Sequence, residues 1–227
     1  SLLPKTATNW DAALEYYFEP VGVFSAGWFH KAIADYIVNG INAGTVGTGN
    51  NNGFNGEYAG FTLLTRANAG AAVVQGWEFS YQQQFTFLPS LLKGLSASAN
   101  YTLIDTRGDF GGTVKRSTDA VPGFIPRTGN FGLAWRHRAV STRVAVNYVG
   151  SYITNFTAAG SNRNLYRFSR TIVNAGVAYH YRPWLTLTLD VSNLFNEPEA
   201  FYRGFPDRMQ ATNIPGTTIT MGINGRF

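Results

Sequence analysis

Cysteine is absent from these 227 residues. That excludes a disulfide scaffold and a thiolate metal centre. Charge is scarce too: Asp, Glu, Lys and Arg make up 14% of the chain, against about 25% in an average soluble protein. No run of about 20 apolar residues occurs, so no transmembrane helix is expected. The three histidines, His30, His137 and His180, lie far apart and show no metal-ligand spacing. No cofactor is expected. Fourteen of the 18 basic residues are Arg, but they are scattered, and a net charge of +5 without a basic run gives no nucleic-acid stripe. The glycine-rich stretch 47–53 has the wrong spacing for a dinucleotide loop. Asp109-Phe110-Gly111 matches a kinase triplet by letters only. Ser1-Leu2-Leu3-Pro4-Lys5 lacks the charged start and apolar core of a secretion signal. The chain is therefore expected to follow a cleaved signal or to begin partway along a longer protein.

Aromatics, by contrast, reach 15%, and there are 25 glycines. A chain this poor in charge needs some other protection from aggregation, because soluble surfaces are normally charged. A lipid-facing barrel supplies it: its outer wall is apolar and its rims are aromatic.

Alternation with a period of two runs through the sequence and predicts strands. In the last residues Ile219, Met221, Ile223, Gly225 and Phe227 oppose Thr218, Thr220, Gly222, Asn224 and Arg226. Leu185, Leu187, Leu189 and Val191 oppose Thr186, Thr188, Asp190 and Ser192. Similar patterns cover Trp10 to Phe18, Trp77 to Tyr81, Leu95 to Leu103, Phe131 to Trp135, Arg143 to Tyr148 and Val173 to Tyr181. Residues 23–38 are strand-like, but Phe24, Ala26 and Trp28 compete for phase with Phe29 and Ile33. The count is about nine strands of roughly ten residues, long enough to span a bilayer when tilted. Inward positions read as Thr, Ser, Asn and Gly rather than a second apolar layer.

The connections alternate in length. Short turns fall near residues 19–22, 89–94, 137–140 and 182–183, and long links cover 39–70, 108–123, 153–168 and 196–216. Short turns on one side and long loops on the other are the layout of bacterial outer-membrane barrels. Beside the short turns sit Tyr16, Phe18, Trp135, Tyr179, Tyr181 and Trp184. They are candidates for an aromatic girdle at a membrane interface. The link 39–70, rich in Gly and Asn, reads equally as a mobile lid or a disordered loop.

Several segments carry a family likeness. Residues 15–27, EYYFEPVGVFSAG, resemble a strand–turn–strand of TonB-dependent receptor barrels. Pro122-Gly-Phe-Ile-Pro-Arg127 resembles the approach to a later strand, and Asp190-Val-Ser-Asn-Leu-Phe-Asn196 the penultimate strand and its exit. The alternating tail with Ile219, Met221, Ile223 and terminal Phe227 resembles the insertion signal read by the barrel assembly machinery. The resemblance implies an all-β, antiparallel, 22-stranded barrel with a lumen plug, of which residues 1–227 supply about the last nine strands. It also implies an outer-membrane receptor that takes up a scarce nutrient (ferric siderophore, haem, cobalamin or oligosaccharide). TonB and its inner-membrane energising complex would act through a plug and TonB box preceding Ser1. No bond in the ligand is made or broken, so the chain is not expected to be an enzyme.

Binding residues on such a scaffold belong in the long loops. Arg163, Tyr166 and Arg167 in one loop, and Tyr202, Arg203 and Arg208 in another, are the candidates. Arg offers a forked donor to anionic oxygens, and aromatic rings offer flat stacking surfaces. The same Arg residues suit lipopolysaccharide phosphates or neighbouring loops. Alternatives are a porin, a barrel enzyme with converging Ser, His and acid groups, or a soluble carbohydrate-binding β-module.

Overall fold

The fold is seen in a computed structural model that describes residues 2–35, 37–68, 71–108, 120–155 and 163–226. The strands up to the first long links are β1 (Thr6–Phe18), β2 (Gly22–Ala34), β3 (Ile37–Thr45), β4 (Thr62–Asn68), β5 (Ala71–Gln84) and β6 (Leu95–Gly108). They are followed by β7 (Arg127–His137), β8 (Val140–Val149), β9 (Tyr152–Asn155), β10 (Leu165–Arg167) and β11 (Arg170–Arg182). The last are β12 (Leu185–Ser192), β13 (Glu199–Arg203), β14 (Met209–Asn213) and β15 (Thr218–Gly225). Nine of them form one antiparallel sheet in the order β1-β2-β5-β6-β7-β8-β11-β12-β15. Among the described residues the sheet does not close on itself: β1 and β15 are its two edges.

Cross-strand register turns the alternation of single strands into two continuous faces. Tyr16, Phe24, Tyr81, Ala99, Phe131, Val146 and Val173 lie in one pairing row. Tyr179, Leu187 and Ile223 lie in another row of the same face. The opposite face carries the row Glu15, Ser25, Ser80, Asn100, Asn130 and Asn147. On the apolar face Leu14 is 72% exposed, Trp10 67% and Met221 79%. Among the described residues no second sheet covers it.

The phase of β2 is resolved by this register. Phe24, Ala26 and Trp28 belong to the apolar face, and Phe29 and Ile33 to the other. The polar face is therefore not uniformly polar. Near the long-connection end Ile33, Ala72, Val74 and Val121 are buried together, with Phe29, Ile104 and Phe124 packed against them. The segment 120–126 makes this possible by folding back onto the wall. Val121 N–H donates to Thr106 Oγ1 at 3.1 Å, and Gly123 N–H to the Ile153 carbonyl at 2.9 Å. Gly76 leaves room beneath Phe29, since a β-carbon there would sit 2.9 Å from its ring and 2.0 Å from the Leu103 carbonyl oxygen.

The short connections lie at one end of the sheet and the long ones at the other. The link 39–70 is largely structured: β3 and β4 pair as a hairpin. Its tip is built on the Asn52 amide. Nδ2 donates to the carbonyls of Gly47 (3.1 Å) and Glu57 (2.8 Å), and Oδ1 accepts from the N–H groups of Phe54 (2.8 Å) and Gly56 (3.0 Å).

Candidate functional site

Beyond the long-connection end a second sheet is assembled from loop segments in the order β14-β13-β10-β9. It unites the two loops that hold the candidate binding residues. Residues Leu165–Arg167 pair with Phe201–Arg203 on one side and with β9 on the other. Tyr166 falls directly opposite Tyr202, and the rings stack at 5.0 Å with 8° between planes. Phe168 closes on Tyr202 at 4.6 Å. Burial raises the Tyr202 phenol above its ordinary 10.0, and the adjacent Tyr166 adds to the shift.

Charged groups frame this stack. Arg167 pairs with Glu199 at 2.8 Å, with side chains 18% and 27% exposed. The Arg167 Nε is buried without a partner. Arg203 Nε donates to Gln210 Oε1, and its Nη1 reaches the Arg163 carbonyl at 3.5 Å. Arg208 lies over the Phe205 ring at 5.4 Å, and its carbonyl accepts from Arg203 N–H at 2.9 Å. The structure thus brings Tyr166, Tyr202, Arg167 and Arg203 together, with the Arg163 backbone at the edge and Arg208 at the turn. Two partners went unremarked in the sequence, Glu199 and Gln210. Their strands are short, and no periodicity marks which way the side chains point.

The base of the platform is Asn193, at φ 53°. Its Oδ1 accepts Glu197 N–H at 2.8 Å, its Nδ2 donates to the Gly216 carbonyl at 3.1 Å, and its own N–H donates to Asn174 Oδ1 at 2.9 Å. This is the first residue of the Asn-Leu-Phe-Asn element, and it ties β11, β12 and the start of β15 at one point.

The polar face carries further polar pairings. Asn130 donates to Asn100 at 2.8 Å, Asn147 donates to Asn130, and Arg143 pairs with Asp190 at 2.7 Å. His180 lies between Ser141 Oγ (3.2 Å) and Thr186 Oγ1 (3.1 Å).

At the short-turn end Tyr16 and Phe18 stack at 6.0 Å, and Phe18 stacks on Tyr81 at 6.0 Å. The Trp135 indole donates to the Leu91 carbonyl at 2.8 Å. Tyr179 and Tyr181 lie 6.3 Å apart at the end of β11, and Trp184 occupies the next turn, 53% exposed. Ile219, Met221 and Ile223 share the apolar face with Val191, Leu189 and Leu187. Phe227 lies outside the described residues.

Residues 1–194 match the family model described as TonB dependent receptor-like, beta-barrel. No curated protein matches the sequence. Among solved structures the FrpB iron transporter from Neisseria meningitidis is 18% identical and superposes with a TM-score of 0.62 over 98% of this chain and 31% of its own. The ferric yersiniabactin uptake receptor FyuA from Yersinia pestis is 16% identical, with a TM-score of 0.67 over 98% of this chain and 30% of its own. The ferric enterobactin receptor PfeA from Pseudomonas aeruginosa is 19% identical, with a TM-score of 0.66 over 98% and 31%. The chain therefore spans about three-tenths of the length of these structures, and at such identities the likeness is one of fold.

Proposed function

The chain belongs to the TonB-dependent receptor-like β-barrel family, and from that premise we propose that it forms the C-terminal part of the barrel wall of an outer-membrane receptor. The whole receptor imports a scarce nutrient with energy delivered through TonB. One observation carries this reading. A single sheet exposes rows of Trp, Leu, Ile and Met on one face and a Glu, Ser and Asn row on the other. A soluble β-sandwich buries its apolar face against a second sheet; in a barrel wall the bilayer does the covering. The short turns then face the periplasm and the long connections face outward.

In that orientation the loop sheet stands at the outer mouth. Tyr166 and Tyr202 offer a stacked aromatic surface, and Arg203 beside it, with Arg208 and Arg163 on the same loops, supplies cations for an anionic or ring-bearing ligand. Arg167 is committed to Glu199 and holds the platform rather than the ligand. The solved structures it resembles are named for uptake of iron, ferric siderophores and copper, which supports a metal ion or its chelate, a ferric siderophore among them, as the cargo. The ligand crosses unaltered. Among the described residues the Ser141–His180 pair has no carboxylate at the other imidazole nitrogen, which faces Thr186. Asp190 is held by Arg143.

The partners of the whole receptor are TonB with its energising complex, engaged through a region outside this chain, and the barrel assembly machinery. The latter reads the tail of Ile219, Met221, Ile223 and Phe227. Lipopolysaccharide surrounds the outer half of the wall. The test is uptake of radiolabelled ferric siderophores by cells making the full-length protein, with and without TonB. Accumulation that requires both supports the reading. Uptake indifferent to TonB, or a protein that fractionates without membranes, defeats it.

A further inference from the structure

The short-turn rim between β5 and β15 carries charge of one sign. Residues 85–97, 134–142, 178–188 and 222–227 contain Lys93, Arg136, Arg138, Arg182 and Arg226 but neither Asp nor Glu. These cations are exposed, and none takes part in an ion pair among the described residues. Arg136 lies opposite Ser141 on the polar face. The others sit at the turns, and the backbone directs two of them to the apolar face.

The first is Arg182. The pairing of β11 with β12 shifts between His180 and Arg182, so Arg182 falls opposite Leu185, on the same face as Leu187. A bulge of this kind re-aims a side chain at a strand end. The Arg182 guanidinium then lies over the Tyr181 ring, 5.3 Å from its centre. The second is Lys93. Its 3-10 turn, Ser90–Gly94, is tied to the apolar face by the Trp135 indole, which donates to the Leu91 carbonyl. Leu91 and Leu92 are exposed beside it. Between these two, the turn after β7 opens with Arg138 at φ 51°, a conformation that glycine fills most easily. Neighbouring turns join into one rim: His180 N–H donates to the Ala139 carbonyl at 2.7 Å, and Arg226 N–H to the Trp184 carbonyl at 2.9 Å.

Cations set among exposed Tyr179, Tyr181, Trp184 and Leu91 make an amphipathic belt. Such rings favour a membrane interface, and Lys or Arg at that level attracts anionic headgroups. We propose that this rim binds anionic phospholipid of the periplasmic leaflet, such as phosphatidylglycerol, through its phosphodiester. The proposal rests on the outer-membrane reading above, which puts the short turns at that leaflet. The Arg182 fork takes phosphate oxygens, and Lys93 adds a point charge. Trp184, Leu91 and Leu92 meet the glycerol and the upper acyl chain. An acidic periplasmic protein would match the charge, but not its placement on a face that continues into Leu187 and Leu133.

The test counts lipids retained by the full-length receptor after mild-detergent purification from equal phosphatidylglycerol and phosphatidylethanolamine, by native mass spectrometry. Phosphatidylglycerol is retained in excess. Lys93→Gln and Arg182→Gln each lower that retention about fivefold, the factor one basic residue gives beside an anionic surface, and leave phosphatidylethanolamine unchanged. Arg66→Gln, in the β3–β4 hairpin at the opposite end, changes neither. Should a rim variant fail to assemble, salt serves instead. Raising it from about 0.1 M to about 1 M shortens the screening length to about 3 Å and removes the excess from the unsubstituted receptor. Equal retention of the two lipids, or an excess indifferent to the variants and to salt, overturns the site. So does loss of a crosslinked periplasmic protein in the variants with lipid retention unchanged, which would assign the rim to a protein. A receptor that needs detergent or lipid yet retains both lipids alike removes only this site. One that stays in solution without either removes the membrane reading as well.

Discussion

Asn193 ties three segments together at the loop end of the wall. It is 8% exposed, its amide holds Glu197 and Gly216, and its carbonyl accepts from Thr217 Oγ1 at 2.8 Å. Removing a buried partner costs about 1–3 kcal/mol. Asn193→Ala loses the side-chain bonds to Glu197 and Gly216, keeps the backbone carbonyl that Thr217 reaches, and also places an ordinary β-carbon at φ 53°, where only Gly and Asn sit easily. Urea unfolding of the full-length receptor in detergent should show a loss of about 2 kcal/mol, with Asn193→Gly recovering part of it. Identical values for the two variants would mean that the backbone contributes nothing. Tyr202 gives a pH-dependent counterpart. Its phenol is raised above 10.0, first by burial and then by Tyr166. The neutral form therefore stabilises the loop sheet fully below pH 10.0, and that stability is lost as pH rises through the shifted value. Difference absorbance titration should show Tyr202 ionising late, and Tyr166→Phe should bring it only partly back. A Tyr202 that titrates with the exposed tyrosines would contradict the packing. Neither role was legible in sequence. Asn193 stands in a recognisable element, but its partners Asn174 and Gly216 come from distant positions, and the Tyr166–Tyr202 stack depends on a pairing between two loops.

At the scale of strands and hairpins, legibility follows periodicity. Strands β12 and β15 could be assigned because Leu187 and Ile223 repeat with clean alternation and their neighbours are Thr, Asp and Asn. Strand β2 could not be phased, because Phe29 and Ile33 are apolar for a different reason: segment 120–126 folds back and buries them. The link 39–70 has no periodic signal at its tip, where order comes from four hydrogen bonds of one amide. The face assignment predicts an asymmetry between adjacent residues. Leu187→Lys or Ile223→Lys, in the row of Tyr179 near the short-turn end, puts a charge on the lipid face and should cost between the roughly 1 kcal/mol of an interface and the about 2–4 kcal/mol of the midplane. Thr188→Lys, on the polar face, should cost far less. Unfolding of the full-length protein from lipid vesicles measures both; equal costs at Leu187 and Thr188 would remove the face assignment, and a larger cost at Thr188 would reverse it.

The molecule as a whole has two free strand edges. One side of β1 and one side of β15 present backbone N–H and C=O groups that no strand among the described residues pairs with. Water satisfies such an edge in a soluble sheet. Hydrocarbon does not, and each unsatisfied group there costs several kcal/mol. A wall with one apolar face therefore needs further strands at both edges before it can lie in a bilayer, in keeping with a chain that spans about three-tenths of its solved relatives. The 227 residues expressed alone should accordingly give no monomer that resists dodecyl sulfate before boiling. Edge-to-edge oligomers or aggregates should form in detergent instead. The full-length receptor should migrate as a compact, heat-modifiable band. Unboiled gel electrophoresis of the two proteins side by side decides the matter. A compact, heat-modifiable monomer from the 227-residue chain alone would show that the edges find each other, and the wall would then be a small closed barrel rather than a sector of a larger one.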